Sequence, residues 1–379
     1  MLPKKLQDKI DARASDSSLR SLGLRQDLLD FSSNDYLGFS SSKKMYNKAC
    51  SVLKQHNYQA NGATGSRLLT ANHPLYLDTE KQIASFHNSP SALIFNSGYD
   101  ANIGFFSSVP QRGDVILYDA LCHASIRDGI AMSHAKGHKF AHNNLQGLEA
   151  LLEAQNTPGK IRPEIYVVTE AVFSMDGDSP ALKAVASLCK KYSAYLIVDQ
   201  AHATGVIGPN GKGLVQELVL EDLVFARIVT FGKALGCHGA AILGSCELKS
   251  YLINFARSFI YTTALPPHTL ATIGAAYSEL EHNSDAIKKL QDNISTLQKC
   301  ILETQLTSYF IPSQSAIHCC VIKGNKATND VAALLQQNKF DVKAILSPTV
   351  PKGQERLRIC LHSYNKKEDI KALVRLLKE

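Results

Sequence analysis

Two short segments of this sequence end apolar, β-branched runs with side chains able to do chemistry. Tyr195-Leu-Ile-Val-Asp199 is followed by Gln200-Ala-His202, and Ile228-Val-Thr230 by Phe-Gly-Lys233. A buried strand that stops abruptly at polar residues delivers those side chains at its C-terminal end. One strand supplies an acid and a histidine, the other a threonine and a lysine. Each has an ordinary use when alone: a lysine after a strand is usually solvated, and an acid there usually caps a loop. The combination is what one aromatic phosphate cofactor needs.

Pyridoxal 5'-phosphate (PLP) requires a lysine amine to hold its carbonyl carbon covalently. It also requires an anion beside its ring nitrogen, so that the ring stays protonated and draws electrons. Lys233 and Asp199 are the candidates. Ala92-Leu-Ile-Phe-Asn-Ser-Gly98-Tyr99 reads as a strand entering a helix, whose first amides make an anion site. Gly98 and Tyr99 are therefore candidates to hold the phosphate, and Tyr99 to lie against a ring; a tight turn with a core aromatic is equally consistent. His123 falls just beyond the strand Asp114–Asp119, and Ser174, beyond Glu164–Glu170, is a candidate donor to a ring oxygen. Asp176 and Asp178 read as turn residues. His134, His138 and His142 have the four-residue spacing of ligands on a helix, but Gly137 breaks that helix and His138–His142 alternates like a strand. No metal site is expected.

The elements that must position these residues follow from the pattern. An N-terminal helix and arm carries Leu6, Ile10, Leu19, Leu22 and Leu24, with Arg13, Arg20 and Arg25 interspersed. A helix over 73–86 is expected to bury Leu75, Leu77, Ile83 and Phe86. From Ala92 to Gly236 strands alternate with helices, the mark of an α/β fold with a mostly parallel sheet. Ligands bind outside the carboxyl ends of such strands. Gly98, His123, Ser174, Asp199, His202, Thr230 and Lys233 all fall there. One more strand is expected at 239–244, a polar turn at Thr262-Thr263, and one long helix over 268 to about 305. Beyond it strands (316–322, 356–361) and helices (327–337, 367–377) form an α+β pattern. The expected division is 1–44 as N-terminal arm, 45–270 as large α/β domain and 271–379 as small α+β domain.

Bulk properties exclude several classes. The 45% apolar fraction is ordinary for a globular protein, and no run approaches a membrane span. The N-terminus lacks an apolar signal core, which implies a cytoplasmic protein. Nine cysteines, none in Cys-x-x-Cys, read as small buried hydrophobes in a reducing compartment. The net charge of +7 is spread out, with no basic cluster interleaved with aromatics, so nucleic-acid binding is not expected. That charge would suit phosphate-bearing acyl carriers, but it decides nothing alone.

Six motifs in order carry a resemblance: Ser-Asn-Asp-Tyr-Leu-Gly (33–38), Gly-Ala-Thr-Gly-Ser-Arg (62–67), Asp-Ala-Leu-Cys-His-Ala-Ser (119–125), Ser-Met-Asp-Gly-Asp (174–178), Val-Asp-Gln-Ala-His-Ala-Thr-Gly (198–205) and Thr-Phe-Gly-Lys (230–233). The chain resembles, over nearly its whole length, the α-oxoamine synthases among the fold-type I PLP enzymes. That resemblance implies a large domain with a mostly parallel sheet flanked by helices, plus a smaller C-terminal α+β domain. It implies a PLP-dependent acyltransferase with Lys233 bound to the cofactor and Asp199 paired with the ring nitrogen. His123 would stack on the ring, and His202 and Ser174 would contact its phenolic oxygen. Thr230 and the amides of Gly98 and Tyr99 would hold the phosphate. Thr262 and Thr263 would reach the phosphate of a neighbouring subunit in a homodimer. Arg20, Asn34, Thr349 and Arg358 match substrate-contacting positions.

Within the family, the compact length and the run at 203–208 point to the branch that joins L-alanine to a pimeloyl thioester, on CoA or an acyl carrier protein, for biotin. The alternative is a relative using another amino acid and acyl-CoA, such as glycine with acetyl-CoA. Three departures stand out. They are Cys122 before the stacking histidine, Gln200 after the cofactor aspartate, and Ile-Cys-Leu-His-Ser-Tyr-Asn after Arg358.

Overall fold

The computed structural model describes residues 2–23, 27–58, 60–155, 162–282 and 284–378; Leu24 and Arg25 lie outside them. Helix α1 (Lys4–Ser15) buries none of its residues, so Leu6 and Ile10 are exposed, as are Leu19 and Leu22 beyond it.

The chain divides into two compact units. The larger, residues 35–173 and 179–287, is built on a seven-stranded sheet. Its strands are β1 (Ser91–Phe95), β2 (Val115–Asp119), β3 (Lys136–Phe140), β4 (Ile165–Glu170), β5 (Tyr195–Asp199), β6 (Ala226–Thr230) and β7 (Ala240–Gly244), in the spatial order β1-β7-β6-β5-β4-β2-β3. Only β7 runs against the others. β1, β4 and β6 are buried along their whole length, which is why they read as continuous apolar runs.

The longer helices of this unit are α2 (Lys43–Gln55), α3 (Pro74–Phe86), α4 (Gly98–Ser108), α5 (Ala124–Met132), α6 (Leu145–Ala154), α7 (Leu182–Lys191), α8 (Cys246–Phe255) and α9 (Pro267–His282). Phe105 and Phe106 of α4 and Ile126 of α5 join Leu93, Ile116, Val168, Ile197, Ile228 and Ile242 in one core cluster. Full burial of a side chain of this size contributes about 1.5–3 kcal/mol. That core fixes the two helix starts nearest the strand ends. On α3 the expected stripe is corrected at one position: Leu77 is exposed, and Tyr76, Thr79 and Glu80 are buried instead. Glu80 is the reason, because its carboxylate binds Arg67 (2.5 Å), Lys249 (2.7 Å) and the Ile94 amide (2.9 Å). A buried carboxylate is tolerated when it is paired in this way.

The smaller unit joins residues 1–34, 174–178 and 288–379. The expected boundaries after 44 and after 270 fall inside the larger unit. A three-stranded antiparallel sheet of β8 (Ile317–Val321), β9 (Lys343–Ile345) and β10 (Arg356–Cys360) carries it, in the order β9-β10-β8. The single helix expected over 268–305 is two, α9 and α10 (Asp285–Glu303). Helices α11 (Asn325–Gln337) and α12 (Lys367–Lys378) follow. The turn 174–178 is seated in this unit by Gly177. Its φ is +78°, and a Cβ there would come 2.1 Å from the Ile317 carbonyl oxygen. Arg356 pairs with Asp176 at 2.5 Å, so Asp176 is a structural ion-pair partner.

Candidate active site

In the larger unit, the predicted residues emerge from the carboxyl ends of neighbouring strands. Asp199 ends β5, and Thr230 ends β6 three residues before Lys233. Asp199 is buried, and its charge is met by neutral donors. Oδ1 accepts from the Ala201 amide (2.9 Å) and Oδ2 from Asn102 Nδ2 (3.0 Å). His202, also buried, joins two groups: Nε2 lies 2.6 Å from Lys233 Nζ and Nδ1 lies 2.7 Å from Tyr36 Oη. The imidazole thus bridges the Lys233 amine and the Tyr36 hydroxyl, with donor and acceptor roles that follow its tautomer.

The phosphate candidates form a second group. Ser97 caps α4 by accepting from the Asp100 amide, which leaves the Gly98 and Tyr99 amides at the start of an 11-residue helix. A Cβ on Gly98 would lie 3.6 Å from Thr230 Oγ1, so the helix start and the Thr230 hydroxyl flank one spot. Thr230 Oγ1 donates to the Gly239 carbonyl at 3.2 Å. The Tyr99 ring is held by its hydroxyl, which donates to Asp128 Oδ2 at 2.6 Å. Thr262 Oγ1 and the Thr263 carbonyl both accept from Nδ2 of Asn96, two residues before Gly98 (3.0 and 2.6 Å).

His123 caps α5: its Nδ1 accepts from the Ser125 amide at 3.2 Å and lies 2.8 Å from Ser125 Oγ. Desolvation of the ring holds its pKa below the ordinary histidine value, ahead of the Asp199 charge, which acts the other way. The His123 amide donates to Glu170 Oε1 at 2.5 Å. Glu170 stands opposite Asp199 across β4 and β5. Burial, reinforced by the Asp199 charge, pushes its carboxyl well above the usual carboxylate range.

Three further predicted residues meet in the smaller unit. Arg358 is buried on β10; its Nε donates to the Ser174 carbonyl (2.7 Å) and its Nη2 to Asn34 Oδ1 (3.0 Å). Arg20 and Thr349 pair separately, Nη2 to Oγ1 at 3.0 Å. Sequence reasoning missed the roles of Tyr36, Asn96, Asn102, Ser125 and Glu170. Only Glu170 carried a local signal, as the last residue of a strand beside the Asp199 strand. The others gain meaning from contacts across many positions.

The donor set suits PLP. An amine and a buried carboxylate project from the ends of adjacent strands β6 and β5, and Thr230 at the end of β6 sets a hydroxyl beside the helix start that follows β1.

Comparison with known proteins identifies the family. Residues 26–377 match the family Aminotransferase class I and II. The 8-amino-7-oxononanoate synthase of Emericella nidulans is 40% identical over 368 residues, covering 91% of this chain and 87% of the relative. The chain belongs to the class I and II aminotransferase family, in its α-oxoamine synthase branch. As an α-oxoamine synthase it is a PLP-dependent C-acyltransferase of fold type I. The solved 8-amino-7-oxononanoate synthase of Francisella tularensis superposes with a TM-score of 0.77 at 29% identity, over 93% of this chain and 97% of that one. A serine palmitoyltransferase variant from S. paucimobilis, solved with a bound PLP–myriocin aldimine, gives 0.88 over 99% and 96%; at 23% identity the likeness is one of fold.

Two of the departures in this α-oxoamine synthase have structural uses. Gln200 is fully buried, and its Oε1 accepts from the Val215 amide at 2.9 Å, tying the end of β5 to the following loop. Cys122 is buried with its Sγ toward the Val168 carbonyl, and burial raises its thiol pKa well above the ordinary value. In the third, Cys360 Sγ accepts from Arg358 Nη1 at 3.0 Å, and the rings of His362 and Tyr364 stack at 4.7 Å. Among the described residues, no helix is long and apolar enough to cross a membrane.

Proposed function

We propose that this enzyme condenses L-alanine with a pimeloyl thioester. Carbon dioxide and the carrier thiol leave, and the product is 8-amino-7-oxononanoate, for biotin biosynthesis. The observation that carries the reading is 40% identity across 91% of the chain to an enzyme named for that product. Lys233 would hold PLP until the amino acid displaces its amine, and the bound cofactor would supply a protonated ring that draws electrons from the amino acid's Cα.

The chain's own residues supply the rest. Asp199, buried and met only by neutral donors in its described hydrogen bonds, is suited to accept a ring N–H and keep that proton in place. Lys233 Nζ, beside His202, carries the proton to and from Cα, which requires the amine to be neutral when it accepts. His202, oriented by Tyr36, and Ser174 bind the phenolic oxygen. His123 covers the ring face and orients the substrate carboxylate. The amides of Gly98 and Tyr99 hold the phosphate with the Thr230 hydroxyl, supported by the helix start.

Thr262 and Thr263 serve the phosphate of a second subunit, so the working unit is a homodimer, acting in the cytoplasm. Arg358 and Asn34, joined by a hydrogen bond, and the Arg20–Thr349 pair contact the substrates. The visible absorbance of the purified holoenzyme tests the amino-acid choice. A band that changes with L-alanine and hardly with glycine supports the reading. A response mainly to glycine moves the enzyme to the relatives that use short acyl groups.

A further inference from the structure

Asn102 lies buried on α4, the helix that begins at Gly98, and no motif singled it out. Its Nδ2 makes two contacts of 3.0 Å, to Asp199 Oδ2 and to Ser125 Oγ. A carboxylate oxygen can only accept, so the amide cannot be turned over. Its Oδ1 is buried with no hydrogen-bond partner among the described residues, so the orientation rests on the two donor contacts. Both N–H groups are then committed, and Ser125 Oγ accepts one of them. The Ser125 hydroxyl proton is left to donate to His123 Nδ1, 2.8 Å away. The Ser125 amide, which can only donate, points at the same nitrogen from 3.2 Å. The two ends of this chain of contacts have one possible role each: the Asp199 carboxylate accepts and the Ser125 amide donates.

We propose that Asn102 and Ser125 form a buried relay that keeps His123 Nδ1 bare, places the imidazole proton on Nε2, and ties His123 to the Asp199 carboxylate. Asn102 and Ser125 are positioning residues. The consequence is a fixed donor: His123 offers Nε2–H to an oxygen of the substrate and cannot offer Nδ1–H. Desolvation lowers the His123 pKa and so favours the neutral ring, in which the tautomer has meaning. The charged groups around it, Asp199, Lys233, Arg127 and Asp128, act in opposed directions.

The inference rests on the reading of Asp199 and His123 as neighbours of the cofactor. The test uses holoenzyme labelled with ¹⁵N in its histidine rings, with His123 signals assigned by their loss in His123→Gln. The expected result at neutral pH is one unprotonated nitrogen, Nδ1, and one protonated nitrogen, Nε2. Ser125→Ala removes the hydroxyl donor and should shift the tautomer ratio toward Nδ1–H by about fivefold, the equivalent of one hydrogen bond. Asn102→Leu should shift it in the same direction. Ser125→Ala alone decides the matter if Asn102→Leu does not fold.

A wild-type His123 protonated on Nδ1, or a ratio unmoved by Ser125→Ala, overturns the relay. The tautomer is read without substrate, so a wrong amino-acid assignment leaves it untouched. A failure of the cofactor reading would appear separately, as protein that takes up no PLP.

Discussion

Asp199→Asn is the substitution whose consequences the structure defines most fully. The native carboxylate accepts on both oxygens, from the Ala201 amide at 2.9 Å and from Asn102 Nδ2 at 3.0 Å. An asparagine has one oxygen and one NH₂ group, so it can satisfy only one of these donors. With its oxygen toward Ala201, its NH₂ faces the NH₂ of Asn102, donor against donor. Relief requires Asn102 to turn over and present Oδ1, the buried oxygen that has no partner among the described residues. Ser125 then donates to Asn102 and no longer to His123, and the Nδ1–H tautomer of His123 gains population.

The charge is lost as well. A hydrogen bond to a charged group contributes about 1.5–3 kcal/mol, and each 1.36 kcal/mol is tenfold in rate. The expected loss in kcat is therefore about ten- to a hundredfold at saturating PLP. The assay pairs steady-state turnover with the histidine ¹⁵N spectrum. Near-wild-type kcat refutes the role of the charge. An unchanged His123 tautomer, with Asn102 still turned as in the native chain, refutes the coupling.

Lys233→Ala should abolish turnover and the visible absorbance of the bound cofactor; retained steady-state turnover contradicts its assignment. Tyr36→Phe deletes only a hydroxyl, but leaves Nδ1 of the buried His202 without that partner. It should cost about 1–3 kcal/mol in chemical denaturation, and no measurable change would show that the 2.7 Å contact is not formed. Burial, with the Asp199 charge, holds the Glu170 carboxyl pKa well above the usual carboxylate range and favours its neutral form. Glu170→Gln should therefore keep turnover within about threefold, while Glu170→Ala, which strips the acceptor from the His123 amide, should lose about tenfold. His87 is fully buried between the Lys212 carbonyl and Tyr277 Oη, and desolvation pushes its pKa down from 6.5 to about 3. The folded chain thus binds fewer protons than the unfolded one between those values. Its contribution is intact above pH 6.5 and is lost as pH falls toward 3, about 2 kcal/mol of it by pH 5. In denaturation curves, His87→Gln should lessen the pH dependence over that window, and an unaltered slope would contradict it.

The placement of the candidate site residues was legible where parallel strands announce themselves twice, as apolar runs and as the polar residues that end them. Asp199 and Lys233 were readable for that reason, and so were Gly98 and His123. What stayed hidden depends on pairs far apart in sequence. Tyr36 meets His202 across 166 positions, and Asn102 meets Asp199 across 97. No local pattern marks either pair. Leu77 looked like a core residue, but its turn of α3 is set by the buried Glu80 network, which hydrophobic periodicity does not register. The break between α9 and α10 also left little trace, since its polar residues include neither proline nor glycine.

The most direct test of the account is product formation. Purified holoenzyme is given L-alanine labelled with ¹³C in its carboxyl carbon and pimeloyl-CoA or the pimeloyl acyl carrier protein, and the mixture is read by mass spectrometry. The account predicts unlabelled 8-amino-7-oxononanoate and labelled carbon dioxide in equal amounts, both absent with Lys233→Ala. Neither product from either carrier, from protein that has taken up PLP, would contradict it.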